Sequence, residues 1–495
     1  LFQIAATVGL ARQFGHDYTF PSWSYSKYFT GPFPTGGRLE AWEVPERCFS
    51  YHTDGLHAGD DFDLDGWRQS EKYWLNAEEE VRQLFTFRPE FQDQVLERYK
   101  DALSRPAIAV SVRRGDFVGN PVYAQIPARF YLLALFEEIP DWEQHNILIF
   151  SDDLDYCRVQ FEGIPGVHFC EGSDVEQLCL MTQCRHFVIS NSTFSWWGAW
   201  LGEKPGSIVV RPPKNFDGAY AKSHDESDFW PTRWRVVDYR ERKLDLTDVT
   251  FTIPVFVDHR HREENLLLSV KILLNDLDTT VIVAEQGTKR AQKLSPTVVY
   301  MSYWDMKHFH RTLMLNDMAR RATTPIVVNW DCDVFVPPAQ LYLAALRCRR
   351  GEDMVYPYDG RFARVPRTWL GGLSSSLDVG IFAATEFTGK HGNPVPTTSV
   401  GGAIFFRRDS FLTGGLENEH MVSFGPEDWE RNYRFKALGY TVTRVHGSLY
   451  HLDHWCGPNS SSRNAFFKQN HAELDKIRAM TADELEEYVT QWPWR

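Results

Sequence analysis

Apolar positions along the chain fall into two alternating patterns. Leu1, Ile4, Ala5, Val8 and Ala11 recur at helical spacing and predict a helix over 1–14. A polar, turn-rich stretch follows from Pro21 to Gly66, with Pro-Gly clusters at 31–37 and Asp-rich loops at 60–65. Helices are predicted over 78–85 and 89–103. From Ala107 onward, short apolar runs alternate with helical patterns: strands at 107–112, 146–150, 187–189 and 207–210, helices at 127–138 and 175–184. Three strands end in polar residues: Arg113-Arg114-Gly115-Asp116, Ser151-Asp152-Asp153 and Ser190-Asn191-Ser192-Thr193. This describes a parallel sheet with helices on both faces. Around Asp238–Asp248 the pattern turns charged and loses its period, so domains are expected over 1–240 and 248–495. A second α/β unit then opens with strand 249–257, helix 266–274 and strand 280–284. A buried strand from Ile326 ends in Asp331-Cys332-Asp333, and 473–494 reads as one amphipathic helix.

Length supports more than one core, since 495 residues exceed an ordinary domain. Hydrophobic content of 43% and charged content of 24% are those of a soluble globular chain. A net charge of −13 argues against nucleic acid as a partner but leaves room for a local basic pocket. Eight cysteines without a CxxC pair read as reduced core residues, so a cytoplasmic location is expected, with membrane association through acceptor or partners as the alternative. No run approaches 18 apolar residues, so no transmembrane segment is expected. The chain opens on Leu1 inside a helical pattern, and a short piece is expected to precede it.

The strand ends carry the candidate chemistry. Ser-Asn-Ser-Thr before a helix offers hydroxyls and free N–H groups to an anion, or is an ordinary N-cap. Two arginines at a buried strand end suit a diphosphate, gripped in bidentate fashion; a salt bridge to Asp116 is the plain alternative. Asp152 and Asp153 suit a base or ribose, or cap the next helix. Asp331 and Asp333, two residues apart, repel unless a cation lies between them, and Mg²⁺ or Mn²⁺ with a diphosphate is the natural occupant.

The motifs VSVRRGDF, ILIFSDD and LMTQCRHFVISNSTFSWWGAWL resemble, in order and spacing, the bacterial-type α1,2-fucosyltransferases over about 1–237. The resemblance implies a GT-B fold of two Rossmann-like halves, GDP-fucose as donor and no metal. Arg113 and Arg114 would hold the GDP diphosphate, supported by Ser190, Asn191, Ser192 and Thr193, and Asp153 or Asp152 would read guanine. Ser111 stands where that family usually has His. Asp116 is the nearest candidate base for the attacking hydroxyl, with a bond to its own arginines as the alternative.

Downstream, IVVNWDCDVFVPP, VGGAIFF, FGPEDWE and LYHLDH resemble the GT-A inverting β-galactosyltransferases and chondroitin-type enzymes over about 250–454. That implies a single mixed-sheet nucleotide-binding domain, a UDP-sugar donor and Mn²⁺ (or Mg²⁺). Asp333 would be the main metal ligand and Asp331 would touch ribose or metal. His451 would be the distal ligand, with His454 as the alternative or either as a packed core His. Arg262 would lie near the nucleotide, Asp428 would be the general base, and Glu427 and Phe424 would meet the acceptor. The α/β chain is thus expected to be a bifunctional glycosyltransferase acting on a polysaccharide or glycoprotein with GDP-fucose and UDP-galactose. Alternatives are UDP-GlcNAc, UDP-GalNAc or UDP-glucose at the second domain, or a fucosyl half that only binds glycan.

Overall fold

The computed structural model describes residues 1–495 except 37–40, 54–55, 60, 288–293, 305–307, 386, 390–392 and 458–460. The chain divides into two compact units, Leu1–Leu154 with Pro165–Arg242, and Asp155–Ile164 with Lys243–Arg495.

In the first unit, β1 (Trp42–Val44) and β2 (Phe62–Leu64) form a short parallel pair. The main sheet has β3 (Ala107–Val112), β4 (Asn146–Ser151), β5 (Val167–Phe169), β6 (His186–Val188), β7 (Val209–Arg211) and β8 (Arg235–Val236). Their order is β5-β4-β3-β6-β7-β8, every pairing parallel. β3 is buried at all six positions, which explains its unbroken apolar run. The chain winds outward from β3 through β4 to β5, then returns to β6. The loops after β3 and β6 therefore diverge, opening a crevice at their carboxyl ends.

The helix Thr193–Gly202 is apolar on nearly every side and is buried accordingly. Its Trp196, Trp197 and Trp200 pack with Phe2 and Trp74, Phe2 lying 4.7 Å from Trp196 and Trp74 stacked 5.4 Å from Trp197. Gly198 lets it approach the helix Asp174–Met181, since a Cβ there would lie 2.5 Å from Met181. This aromatic core fixes where the helix N-terminus points.

The second unit has β9 (Leu244–Phe256), β10 (Leu277–Gln286), β11 (Val299–Tyr303), β12 (Ile326–Trp330), β13 (Val334–Phe335), β14 (Met354–Tyr356), β15 (Phe362–Val365), β16 (Ala403–Arg407), β17 (Val442–Arg444) and β18 (Leu449–Leu452). Among the described residues, seven form a mixed sheet, β11-β10-β9-β12-β16-β14-β17, in which β16 runs antiparallel to both β12 and β14. The winding again reverses, here between β9 and β12. A three-stranded sheet, β13-β18-β15, pairs Val334 with His451.

Four expectations change. β9 begins at Leu244, inside the stretch read as charged linker, because Leu244 and Leu246 are buried while Asp245 and Thr247 face out or lie near the surface. The tail is two helices, Phe467–Arg478 and Ala482–Thr490, divided where Thr481 and Glu484 form a capping box that starts the second. The helix at Pro89 ends at Arg98 rather than 103. Of the two Rossmann-like halves expected in the first unit, one sheet of that kind is present among the described residues; 1–106 contribute mainly helices and the β1–β2 pair.

Candidate functional site

In the first unit the crevice between β3 and β6 holds a cavity of about 230 Å³ lined by Ser111, Arg113, Asp152, Gln177, Ser192 and Phe194, among others. Arg113 donates to Asp116 at 2.5 Å and its other terminal nitrogen lies 2.9 Å from Asp152. Arg114 donates its backbone N–H to Asp152 and its Nε to Asp153, both at 2.9 Å. The two strand-end motifs are thus locked together, guanidinium to carboxylate. Gly115 is what permits this: a Cβ there would lie 2.3 Å from Asp152 Oδ2.

Ser192 caps the helix, accepting from the Phe194 N–H at 3.2 Å, and Thr193 beside it is exposed. Ser190 and Asn191 are buried beneath. The Ser190 hydroxyl faces that of Ser195 at 3.4 Å, and Asn191 donates to the Ala124 and Asn215 carbonyls. They shape the turn rather than face the cavity. Asp174, Gln177 and Phe194 line the cavity without having been expected there. The Ser173–Glu176 capping box that starts the helix carrying Asp174 and Gln177 is legible as Ser-Asp-Val-Glu.

In the second unit, Asp331 and Asp333 follow β12, and β18 carries His451 beside them through the Val334 pairing. Asp333 is buried. Its oxygens lie 3.5 Å from His451 Nε2 and 3.0 Å from His454 Nε2, and Arg262 stands 3.5 Å away. Burial alone would raise the Asp333 carboxyl, but the two imidazoles and Arg262 outweigh it and hold it well below the usual carboxylate range. Burial pushes His451 down to about 4, so its ring is neutral at pH 7. Burial also opposes charge on His454, yet Asp333 overcomes that and raises it.

The ligating atoms of Asp333, His451 and His454 all lie within 4.8 Å of one another. Neighbouring ligands of an octahedral ion with bonds of about 2.1 Å stand about 3 Å apart, so this cluster suits a first-row divalent ion such as Mn²⁺, while two imidazoles disfavour Mg²⁺, which takes oxygen ligands. Both histidines reach Asp333, and His454 makes the shorter contact. A second such group, Asp141, His145 and His186, fits less well. The Ile208 N–H donates to His186 Nδ1, leaving the proton on Nε2, where a metal would need a lone pair.

Arg311 links the metal side of this site to the other half. It donates to Asp331 at 2.8 Å and lies 3.7 Å from both Glu427 and Asp428. Arg431, fully buried, pairs with Asp428 at 2.5 Å and with Glu417 at 2.6 Å. Gly401 abuts Asp428, a Cβ there falling 2.3 Å from Oδ2. Burial, then the neighbouring Asp428, raises Glu427 to about 8. Glu427 Oε2 and Arg311 Nη1 are buried without a hydrogen-bond partner, each with a bond left to make. Burial likewise raises Asp331 despite Arg311. Phe424 is 42% exposed, its ring parallel to that of Phe467.

Arg311, Arg431 and Glu417 were missed in the sequence. The available signal is an arginine on the apolar stripe of its helix, with Met314, Leu315 and Met318.

Residues 47–237 match the model of the family described as Glycosyl transferase family 11. An alpha-1,2-colitosyltransferase of Escherichia coli is 28% identical over 179 residues, 34% of this chain and 60% of the relative. The O-antigen biosynthesis glycosyltransferase WbnK of Escherichia coli is 35% identical over 143 residues, 27% of this chain and 47% of that protein. The chain thus spans about half to three-fifths of the length of these relatives. Among solved structures, the catalytic domain of Drosophila beta1,4galactosyltransferase 7 overlaps 41% of this chain and 65% of its own at 14% identity, with a TM-score of 0.26.

Proposed function

We propose that the chain is a bifunctional glycosyltransferase: its second unit adds galactose from UDP-galactose in β linkage to a glycan, and its first caps that galactose with α1,2-fucose from GDP-fucose. On this reading the single Rossmann-like sheet of the first unit corresponds to the nucleotide-binding half of a GT-B fold, and the second unit is a GT-A domain. The observation that supports it is a pair of chemically different clusters, each at a sheet's winding reversal. One is basic and built on Arg113 and Arg114, the other is an Asp–His group, Asp333 with His451 and His454 beside Asp331, that suits a cation. The family match over 47–237 supports the fucosyl half.

In the first unit, the diphosphate would replace Asp116 and Asp152 as the partner of Arg113, with the Ser192–Thr193 helix terminus adding N–H donors. Asp116, freed from Arg113, is the candidate base there. In the second unit, Asp333 and His451, with His454, would hold a divalent ion. When bound, that ion supplies positive charge against the diphosphate. The acceptor hydroxyl oxygen forms a bond to the sugar's anomeric carbon as the bond to the diphosphate breaks. Asp428 takes the hydroxyl proton, and Arg431 and Gly401 hold its carboxylate in place. Glu427 carries its proton at neutral pH and would donate that hydrogen bond to the acceptor.

Incubation with each donor separately, followed by product mass analysis, tests the assignment. Asp428→Asn should abolish UDP-galactose transfer and leave GDP-fucose transfer intact. An Asp428→Asn protein that still moves galactose points to another base.

A further inference from the structure

The two oxygens of the Asp428 carboxylate have unlike surroundings. Arg431 and Arg311 both make their nearest approach to Oδ1, at 2.5 and 3.7 Å. Oδ2 lies instead against the backbone of Gly401, where a Cβ would come within 2.3 Å of it. The guanidiniums engage one oxygen, and the turn at 399–402 sets where the other points.

That turn leads into β16 and is held from both flanking strands. On the β12 side, the Asp331 N–H donates to the Gly402 carbonyl at 2.8 Å, one step beyond the Trp330–Ala403 pair of the ladder. On the β14 side, the chain runs on from Tyr356 to Tyr358, whose hydroxyl donates to the Gly401 carbonyl at 2.6 Å. Both tyrosines are fully buried. Burial pushes the Tyr358 phenol well above its ordinary range, so it keeps the proton it donates. Arg444 lies over both rings, 4.4 Å from that of Tyr356 and 5.6 Å from that of Tyr358, and donates to the Ser399 carbonyl at 2.9 Å. The Tyr356 hydroxyl accepts from Asn432, on the helix Glu427–Ala437 that also carries Asp428 and Arg431. Gly402 has φ +88, and a Cβ there would crowd Leu449 and Val334 at 3.1 and 3.3 Å, so the turn has little room to shift inward.

We propose that Tyr358 is a positioning residue of the second site: through its bond to the Gly401 carbonyl it fixes the turn on which Asp428 Oδ2 rests, and so aims the oxygen that takes the acceptor proton. The inference rests on the transfer reading above, in which Asp428 is the base. A proton-accepting oxygen works only within hydrogen-bond reach of the attacking hydroxyl, so a small displacement of its support costs rate rather than affinity. Because the same turn accepts from the Asp331 N–H, it also ties that oxygen to the strand end that bears the metal-side aspartates.

Tyr358→Phe tests this by removing one oxygen while keeping the ring under Arg444. In the full chain, amide hydrogen exchange should quicken at 399–402 and at Asp331. The kcat of UDP-galactose transfer should fall roughly 10- to 100-fold, with KM for the donor and Mn²⁺ affinity by calorimetry unchanged. Arg444→Lys keeps the charge but loses the planar stack, and should shift the same amides and kcat in the same direction by less; it carries the test if Tyr358→Phe does not fold. Exchange unchanged at the turn in both variants, a loosened turn with kcat unchanged, or kcat and Mn²⁺ affinity lost together overturns the positioning role. If the turn loosens in the variants but the parent chain itself moves no galactose, the hold of Tyr358 on the turn stands and the transfer reading fails.

Discussion

Replacing Glu427 by Gln isolates the effect of one buried proton. The carboxyl ionises near 4.5 when solvated and at about 8 in the fold, chiefly because burial disfavours its charge and Asp428 adds repulsion. Its folded pKa is raised, so its contribution to stability is intact below pH 4.5 and is lost as pH climbs through 8. A tenfold change in proton affinity corresponds to about 1.4 kcal/mol, so the full loss approaches about 5 kcal/mol. Gln has nearly the shape of the protonated acid and stays neutral. The variant and the parent should therefore melt alike near pH 4.5, and the variant should gain steadily up to about pH 8. Above that the gap should stop growing. At about 2–4 °C per kcal/mol for a unit of this size, it would reach on the order of 10 °C. Scanning calorimetry from pH 4.5 to 9 in EDTA reads this out. The transition that moves is that of the unit containing Lys243–Arg495. Parallel pH profiles for parent and variant would refute a neutral Glu427.

Chelation by EDTA should abolish UDP-galactose transfer and spare fucosyl transfer, and Asp333→Asn should lose Mn²⁺ binding by calorimetry; retained Mn²⁺ binding would move the metal elsewhere. Arg114→Ala removes one charge-assisted grip on a diphosphate, a loss of about 1.5–3 kcal/mol, so GDP should bind roughly 10- to 100-fold more weakly while UDP binding is unchanged. Gly401→Ala would push the Asp428 carboxylate aside, since the new Cβ lies 2.3 Å from Oδ2. Galactosyl kcat should fall well before Mn²⁺ affinity does, and equal losses in both would mean a general collapse of the site.

Much of the first site was readable because its parts are local. β3, β4 and β6 are apolar runs that stop at polar residues, and Ser192 caps its helix as a Ser before an apolar helix does. What the spacing could not tell is that Ser190 and Asn191 turn inward, since their partners Ala124, Ser195 and Asn215 are set by the folded loops. The second site was less legible because it is held by pairings across the chain. Asp331 and Asp333 stood out, but Arg311 and Arg431 sit on helices where an arginine normally reads as solvated. Only folding shows that both are buried and meet Asp331, Asp428 and Glu417.

The charge inventory of the second site explains why a cation and a proton belong there together. Arg262 meets Asp258 and Asp333, Arg311 meets Asp331, Glu427 and Asp428, and Arg431 meets Asp428 and Glu417. Among the described residues these pairs join six carboxyl groups to only three guanidiniums. Buried charge without a partner is costly, so the fold must shed the excess. Glu427 sheds one unit by keeping its proton to about pH 8. The remainder centres on Asp331, whose carboxyl is raised by burial, and on Asp333, which raises the His454 imidazole. A divalent ion at Asp333, His451 and His454 would supply the missing positive charge. On the proposed reading, an anionic nucleotide sugar approaching the carboxylates alone would be repelled, so a metal would be in place beforehand or would arrive on the diphosphate. On the proposed reading the arginine-built crevice of the first unit would take its diphosphate by exchanging one set of anions, Asp116 and Asp152, for another.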